Sequence, residues 1–361
     1  MSSPSGSWTQ IAHSSRLCRS SHALSVLGSK AYIFGGELLP RQPVDNQCDV
    51  VDLATESHGA GCPFTSRPLY LFLNAHSHIW LIDKLNTVTV ANAPSPRVGT
   101  PSVSANGHIW LFSGRGGLAM DPIDEQGSLW RFNPASPSWD LVKTTSPEYP
   151  AARSYHAMTS DGVKTIYLHA GCPSKGRLSD LWAFDTESLE WTELPAAPGS
   201  ARGGTSITFC QGKLYRMGGF DGSSEQGGIL DCYEPATRSW QSMSFSPDGI
   251  HGPGARSVAT LLCLRSAGEH VLLTMFGESD PSSLGHAGAG KMLRDAWIFS
   301  IRGSAWKKIV FEGDVPAARG WFSADVLLGD GRDAVIIHGG LAEDNSRLGD
   351  VWRMELVGDF Y

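Results

Sequence analysis

The sequence contains no Cys-x-x-Cys pair, so neither a zinc knuckle nor a thioredoxin-type redox motif is encoded. Its seven cysteines are odd in number and scattered. That pattern fits buried free thiols in a reducing compartment rather than a disulfide framework. No stretch reaches the ~18 consecutive apolar residues that a membrane-spanning helix needs. The start, Met1-Ser-Ser-Pro-Ser-Gly-Ser, has neither a basic cluster nor an apolar run, so no signal peptide is expected. A cytoplasmic location without membrane association follows as the expectation. Basic residues are in the minority, 29 against 36 acidic, for a net charge of −7, which argues against a nucleic-acid partner. Neither a Gly-x-x-x-x-Gly-Lys-Ser/Thr phosphate loop nor a Gly-x-Ser-x-Gly nucleophile elbow occurs.

What the chain does have is glycine, 41 residues of it, with 21 prolines. Much of that glycine recurs in register. Six apolar runs each end at a glycine: Ala31-Tyr-Ile-Phe-Gly-Gly36, His108-Ile-Trp-Leu-Phe-Ser-Gly114, Thr165-Ile-Tyr-Leu-His-Ala-Gly171, Lys213-Leu-Tyr-Arg-Met-Gly-Gly219, Val271-Leu-Leu-Thr-Met-Phe-Gly277 and Ala334-Val-Ile-Ile-His-Gly-Gly340. Runs of this length fit strands covered on both faces, and the glycines fit a bend where backbones crowd. After a variable loop comes Asp-x-Trp or a substitute, as in Asp180-Leu-Trp182, Asp295-Ala-Trp297 and Asp350-Val-Trp352. A repeat of about 50 residues fixes the architecture before any other argument.

Each unit continues into a hairpin flanked by aromatics: Trp130 and Trp139, Trp182 and Trp191, Trp297 and Trp306, with Tyr233 and Trp240 in the same parts. These pairs are expected to pack on one face of an antiparallel ladder. The last unit reaches Trp352 and ends at Tyr361 without its second tryptophan. Ser7-Trp8-Thr-Gln-Ile11 supplies the missing strand, and its addition closes a ring and removes an exposed edge. In the first unit the outer strand, expected near Thr87-Val-Thr-Val90, is delayed by an off-pattern insert at about 59–86. A functional lid, a structural flap, or intron sequence read through into the chain would each explain it.

These features resemble the Kelch family over essentially the whole chain. The resemblance implies an all-β fold, a six-bladed Kelch β-propeller of four antiparallel strands per blade. Residues 1–361 then form a single domain, and the last blade is closed by the N-terminal strand.

A second motif precedes each unit: Arg19, Arg97, Arg153, Arg202, Arg256 and Arg319, the last in Ala-Arg319-Gly-Trp321. In a closed ring these six arginines would face a common mouth, where guanidinium forks could hold sulfate, phosphate or carboxylate. The alternative is that each arginine pairs with a loop carboxylate or carbonyl and locks neighbouring blades.

The fifth unit carries the most unusual loop, with Glu278, Asp280 and His286 close together before a run of small residues. Carboxylate and imidazole ligands suit Fe(II), Mn(II) or Zn(II), and the same groups can act as catalytic acids and bases. A plain Asx- or Ser-type turn is the competing explanation. The loop is similar to that of the nitrile-specifier and epithiospecifier branch of the Kelch proteins. Those plant proteins redirect glucosinolate breakdown and are associated with Fe(II). Their Glu-x3-Asp-x3-His motif falls on Glu278, Ser282 and His286, with Asp280 two residues before the middle position. The resemblance places substrate-contacting arginines at Arg97 and Arg153, and the Arg115 loop also has the family's look.

Two functions follow as expectations. The first is a small-molecule enzyme or specifier of the lyase or isomerase type, with or without a metal, that rearranges, eliminates or cyclises an anionic or oxygen-rich intermediate of specialised metabolism delivered by an upstream enzyme. Its substrate contacts would be the six arginines with Arg115 and Trp321, and its catalytic or metal-binding groups Glu278, Asp280 and His286. The second is a protein-interaction module that binds a peptide on the same face. A propeller hosts either.

Overall fold

A computed structural model describes residues 4–54, 84–266, 268–285 and 288–357. Alternating apolar strands and glycine turns build six sheets, each a blade. Blade 3 serves as the pattern: Ala157–Ser160 lies innermost, then Thr165–Gly171, Leu178–Asp185 and, outermost, Glu190–Leu194. The innermost strands of the other blades are Ala23–Leu27, Ser102–Ala105, Ser206–Cys210, Thr260–Ser266 and Ser323–Leu327. The core lies between blades, where strands buried on both faces pack sheet against sheet. Helix is limited to short 3-10 turns such as Ser15–Leu17, and no helix among the described residues is long and apolar enough to cross a membrane.

The ring closes as the sequence implies. Ser5–His13 runs antiparallel to Asp350–Val357, with Trp8 opposite Met354 and a bulge between Gln10 and Ala12. Val310–Glu312 then covers its other edge in parallel, which makes blade 6 five-stranded.

Three details differ from expectation. The outer strand of blade 1 is Leu85–Val88, two residues ahead of the expected Thr87 start, and the insert before it falls almost wholly at 55–83, outside the described residues. The hairpin tryptophans do pack on one face, Trp130 against Trp139 and Trp182 against Trp191 edge to face at 6.4 Å, but the residue directly opposite each second tryptophan is a phenylalanine. Trp139 pairs directly with Phe132, Trp191 with Phe184 and Trp306 with Phe299, because residues of one sheet face sit two apart. Tyr233, opposite Trp240, therefore occupies the phenylalanine position rather than the tryptophan one. Finally, Cys210 and Cys263 are joined as a disulfide between the innermost strands of blades 4 and 5, where free thiols were expected.

Candidate functional site

Around the propeller axis runs a closed ring of six backbone hydrogen bonds. Gly99 N–H donates to Ser21 O, Tyr155 to Gly99, Gly204 to Tyr155, Val258 to Gly204, Trp321 to Val258, and Ser21 back to Trp321, at 2.7–3.1 Å. All six residues hold a left-handed backbone, from φ +45° at Val258 to +67° at Gly99. Each stands two places after a repeat arginine, so this spacing marks the axial residues. Only Tyr155 and Trp321 carry aromatic rings here. They meet edge to face at 5.3 Å and narrow the mouth from opposite sides.

The six arginines lie farther from the axis, inside the blades, and none lines the mouth cavities. Arg19 pairs with Asp49, Arg97 with Glu125, Arg153 with Asp180, Arg256 with Asp295 and Arg319 with Asp350. In each case Nη1 also bonds the carbonyl that precedes the second glycine of the turn, such as Ser113 O for Arg97 and Gly339 O for Arg319. The arginine's own carbonyl accepts from the second glycine of the preceding blade, as Arg97 O does from Gly36 N–H. These arginines are ties within and between blades, the alternative expected beside substrate contacts at a mouth, and the six are not among the residues of the mouth cavities. The same geometry explains Asp-x-Trp, because Asp180, Asp295 and Asp350 each also accept the indole N–H of the tryptophan two residues on. Blade 4 breaks the rule. Ile229 stands where the acid should be, Asp231 binds Arg216 instead, and Arg202 bonds only carbonyls.

The residues directly after the second glycines form the rim: Glu37, Arg115, Cys172, Phe220, Glu278 and Leu341. Each bridges back to the residue between its blade's arginine and the axial residue, and the copies differ most here. Two cavities open at this level and share Tyr155 and Cys172 as a common wall. One, of about 240 Å³, lies over blades 1 to 3 against Glu37, Arg41, Arg115 and Asp121. The other, of about 230 Å³, lies over blades 3 to 6 among Arg177, Phe220, Glu225, Glu278, Ser282 and Trp321.

Glu278 is buried, its Oε1 accepts Gly290 N–H at 2.7 Å, and it shares the cavity wall with Trp321. Burial pushes its pKa above the ordinary glutamate value, and the neighbouring Glu225 adds to the effect. Burial likewise raises Glu225, which lies across the cavity from the blade 5 loop near Asp280. Arg177 stacks over Phe220 at 5.0 Å, with its buried Nε unbonded. Arg115 bonds only neutral groups: Ser154 Oγ at 2.6 Å, Met120 O at 3.1 Å and Pro173 O at 2.9 Å.

Of the residues singled out in the sequence, Glu278, Arg115 and Trp321 are brought to the mouth, and Asp280 flanks it in a left-handed turn at φ +52°. His286 lies outside the described residues. The expected metal set is therefore only partly described. Glu278 is already bonded, Ser282 Oγ accepts Leu284 N–H, and among the described residues no three His, Cys, Asp or Glu groups converge. Tyr155, Arg177 and Glu225 were missed. The arginine spacing would have found Tyr155, but no spacing links Glu225 to Glu278 across two loops of different length.

A family model for the KLHDC2/KLHL20/DRC7 Kelch-repeats domain matches residues 21–277. The N-(sulfonatooxy)prop-2-enimidothioate sulfolyase of Thlaspi arvense is 26% identical over 92% of this chain and 91% of its own length. Host cell factor homolog hcf-1 of Caenorhabditis elegans is 24% identical over 60% of this chain, which spans only 28% of that protein. The solved structure of YjhT superposes with a TM-score of 0.66, covering 94% of this chain and 95% of its own, at 12% identity, a likeness of fold alone.

Proposed function

The chain belongs to the Kelch-repeat family, and on that premise we propose that it acts on a small anionic molecule at the mouth, as a lyase- or isomerase-type protein. One observation carries this reading. Five repeat arginines are each matched to a carboxylate, whereas Arg115 and Arg177 have no ion pair among the described residues and line the mouth cavities. A partly buried guanidinium without a counter-charge favours an incoming anion, and its planar fork suits sulfate, phosphate or carboxylate. Phe220, Val258 and Trp321 offer an apolar wall to the rest of such a molecule. Glu278, on the same cavity, is placed to give or take a proton as a bond to the anionic group breaks or migrates. No step here is routed through a metal. The Thlaspi arvense relative is named as a lyase for a sulfonatooxy compound, which is an anion of this class.

A second reading, a peptide bound on the same face, is favoured by Leu38, Leu39, Leu118 and Leu284, which stand exposed on the loops around the mouth. Calorimetry with aryl sulfates and aryl carboxylates separates the two. Binding that weakens about tenfold or more in Arg115→Ala and Arg177→Ala supports the small-molecule reading. Glu278→Gln should leave that binding in place and lower turnover by about 10²–10⁴ once a substrate is found. Absence of anion binding, with peptide capture that Leu118→Asp and Leu284→Asp abolish, overturns it.

A further inference from the structure

Below the axial ring the channel widens to a cavity of about 630 Å³ at the end opposite the mouth. Its walls are the lower halves of the six innermost strands. Most of their polar side chains are already engaged in stitching blade to blade. Ser104 Oγ donates to Val26 O, Ser160 Oγ to Ser104 O, Thr159 Oγ1 accepts Phe209 N–H, and Thr208 Oγ1 accepts Cys263 N–H. Much of the remaining wall is apolar, with Leu24, Met158, Ile207, Phe209, Leu262 and Val326.

Among the described residues lining this cavity, Asp325 alone carries a formal charge. Its carboxylate accepts Val26 N–H at 2.7 Å and Val326 N–H at 2.8 Å. A carboxylate offers about four acceptor positions, so two stay open. Among the described residues Asp325 forms no ion pair. Arg265, on the neighbouring innermost strand, turns instead to Gly329 O and Asp333.

We infer that this lower cavity is a second ligand site, for a small organic ammonium ion with an apolar body, held by Asp325. An ammonium group supplies donors for the two open positions and the missing counter-charge, and the apolar body replaces water against the leucine and methionine walls. The site is separated from the mouth by the axial ring, and its charge preference is opposite. Burial that pushes the Asp325 carboxyl up to about 6 is consistent with a charge lacking its partner.

Calorimetry on the full chain at neutral pH tests this, with phenethylammonium as the probe and 2-phenylethanol as its neutral counterpart. Binding of the ammonium ion with one-to-one stoichiometry, and about tenfold or more weaker binding of the alcohol, is the expected result. Asp325→Asn should weaken the ammonium ion by about tenfold or more, and Leu262→Trp, which fills the channel, should abolish binding. If Asp325→Asn fails to fold, Leu262→Trp and the alcohol comparison still decide. No ammonium binding to the wild type, equal binding of the alcohol, or binding that survives a folded Asp325→Asn or Leu262→Trp each overturns the assignment.

Discussion

Removing residues 1–12 should lower the unfolding temperature by more than about 10 °C or leave no folded protein at all. The deleted segment contains nearly all of Ser5–His13, which pairs along Asp350–Val357 and also holds Val310–Glu312. It takes Trp8, Ile11 and Ala12 from buried positions. Trp8 stacks on Phe276 at 6.0 Å and lies against Phe311 at 5.7 Å, so the gap would reach into blade 5. Loss of a buried Trp and a buried Ile alone amounts to about 5–10 kcal/mol, comparable with the whole stability of an ordinary domain. The truncation also leaves the backbone edge of Asp350–Val357 open to other chains. Thermal melts with size-exclusion chromatography check this. A truncated monomer that melts within about 2 °C of the full chain would mean the ring is not closed by this strand.

Asp350→Ala should cost about 3–5 kcal/mol, the largest effect expected of a single substitution in the repeat motif. The carboxylate receives Arg319 through Nη1 at 2.7 Å and Nη2 at 2.8 Å, and the Trp352 indole at 2.7 Å. Alanine strands a guanidinium that is 0% exposed, together with the half-buried indole N–H of Trp352. Arg202→Met in blade 4 serves as the internal control. That arginine has no carboxylate to leave behind, so its loss should be clearly smaller in urea unfolding. Equal losses at the two sites would show that the ion pair is not what matters. The pair also sets an acid limit. Burial alone would raise the Asp350 pKa, but the Arg319 bonds outweigh it and hold the carboxyl below the ordinary aspartate value. Its stabilising contribution is therefore present above the unfolded value near 3.8 and is lost as pH falls through the lower folded one.

The ring was legible because it is repetitive. Gly36 and its five counterparts mark the same bend, and the missing partner of Trp352 could be sought at Trp8. What local pattern could not supply was the destination of long side chains. Arg153 meets Asp180, 27 residues later, only after two strands have folded back. A guanidinium read along the chain is equally compatible with a mouth and with a tie. At the candidate site the reading was partial for a related reason. Glu278 and Arg115 stand out within their own loops, but Arg177 and Glu225 become meaningful only when blades 3, 4 and 5 lie side by side. The Cys210–Cys263 pair, 53 residues apart, joins neighbouring blades and has no signature in either repeat.

The axial hydrogen-bond ring has an electrical consequence. Its six N–H groups all donate in the same rotational sense, each to the previous blade. Peptide dipoles laid end to end in a helix add, leaving positive and negative poles. Bent into a circle, the components lying in the plane of the ring cancel around it. The ring therefore sets up no pole across its own plane, unlike the end of a helix. On the proposed reading, the charge each end of the channel attracts rests on side chains: guanidiniums and carboxylates together at the mouth, and one carboxylate below. Exchanging those few residues would reverse the preference without disturbing the frame.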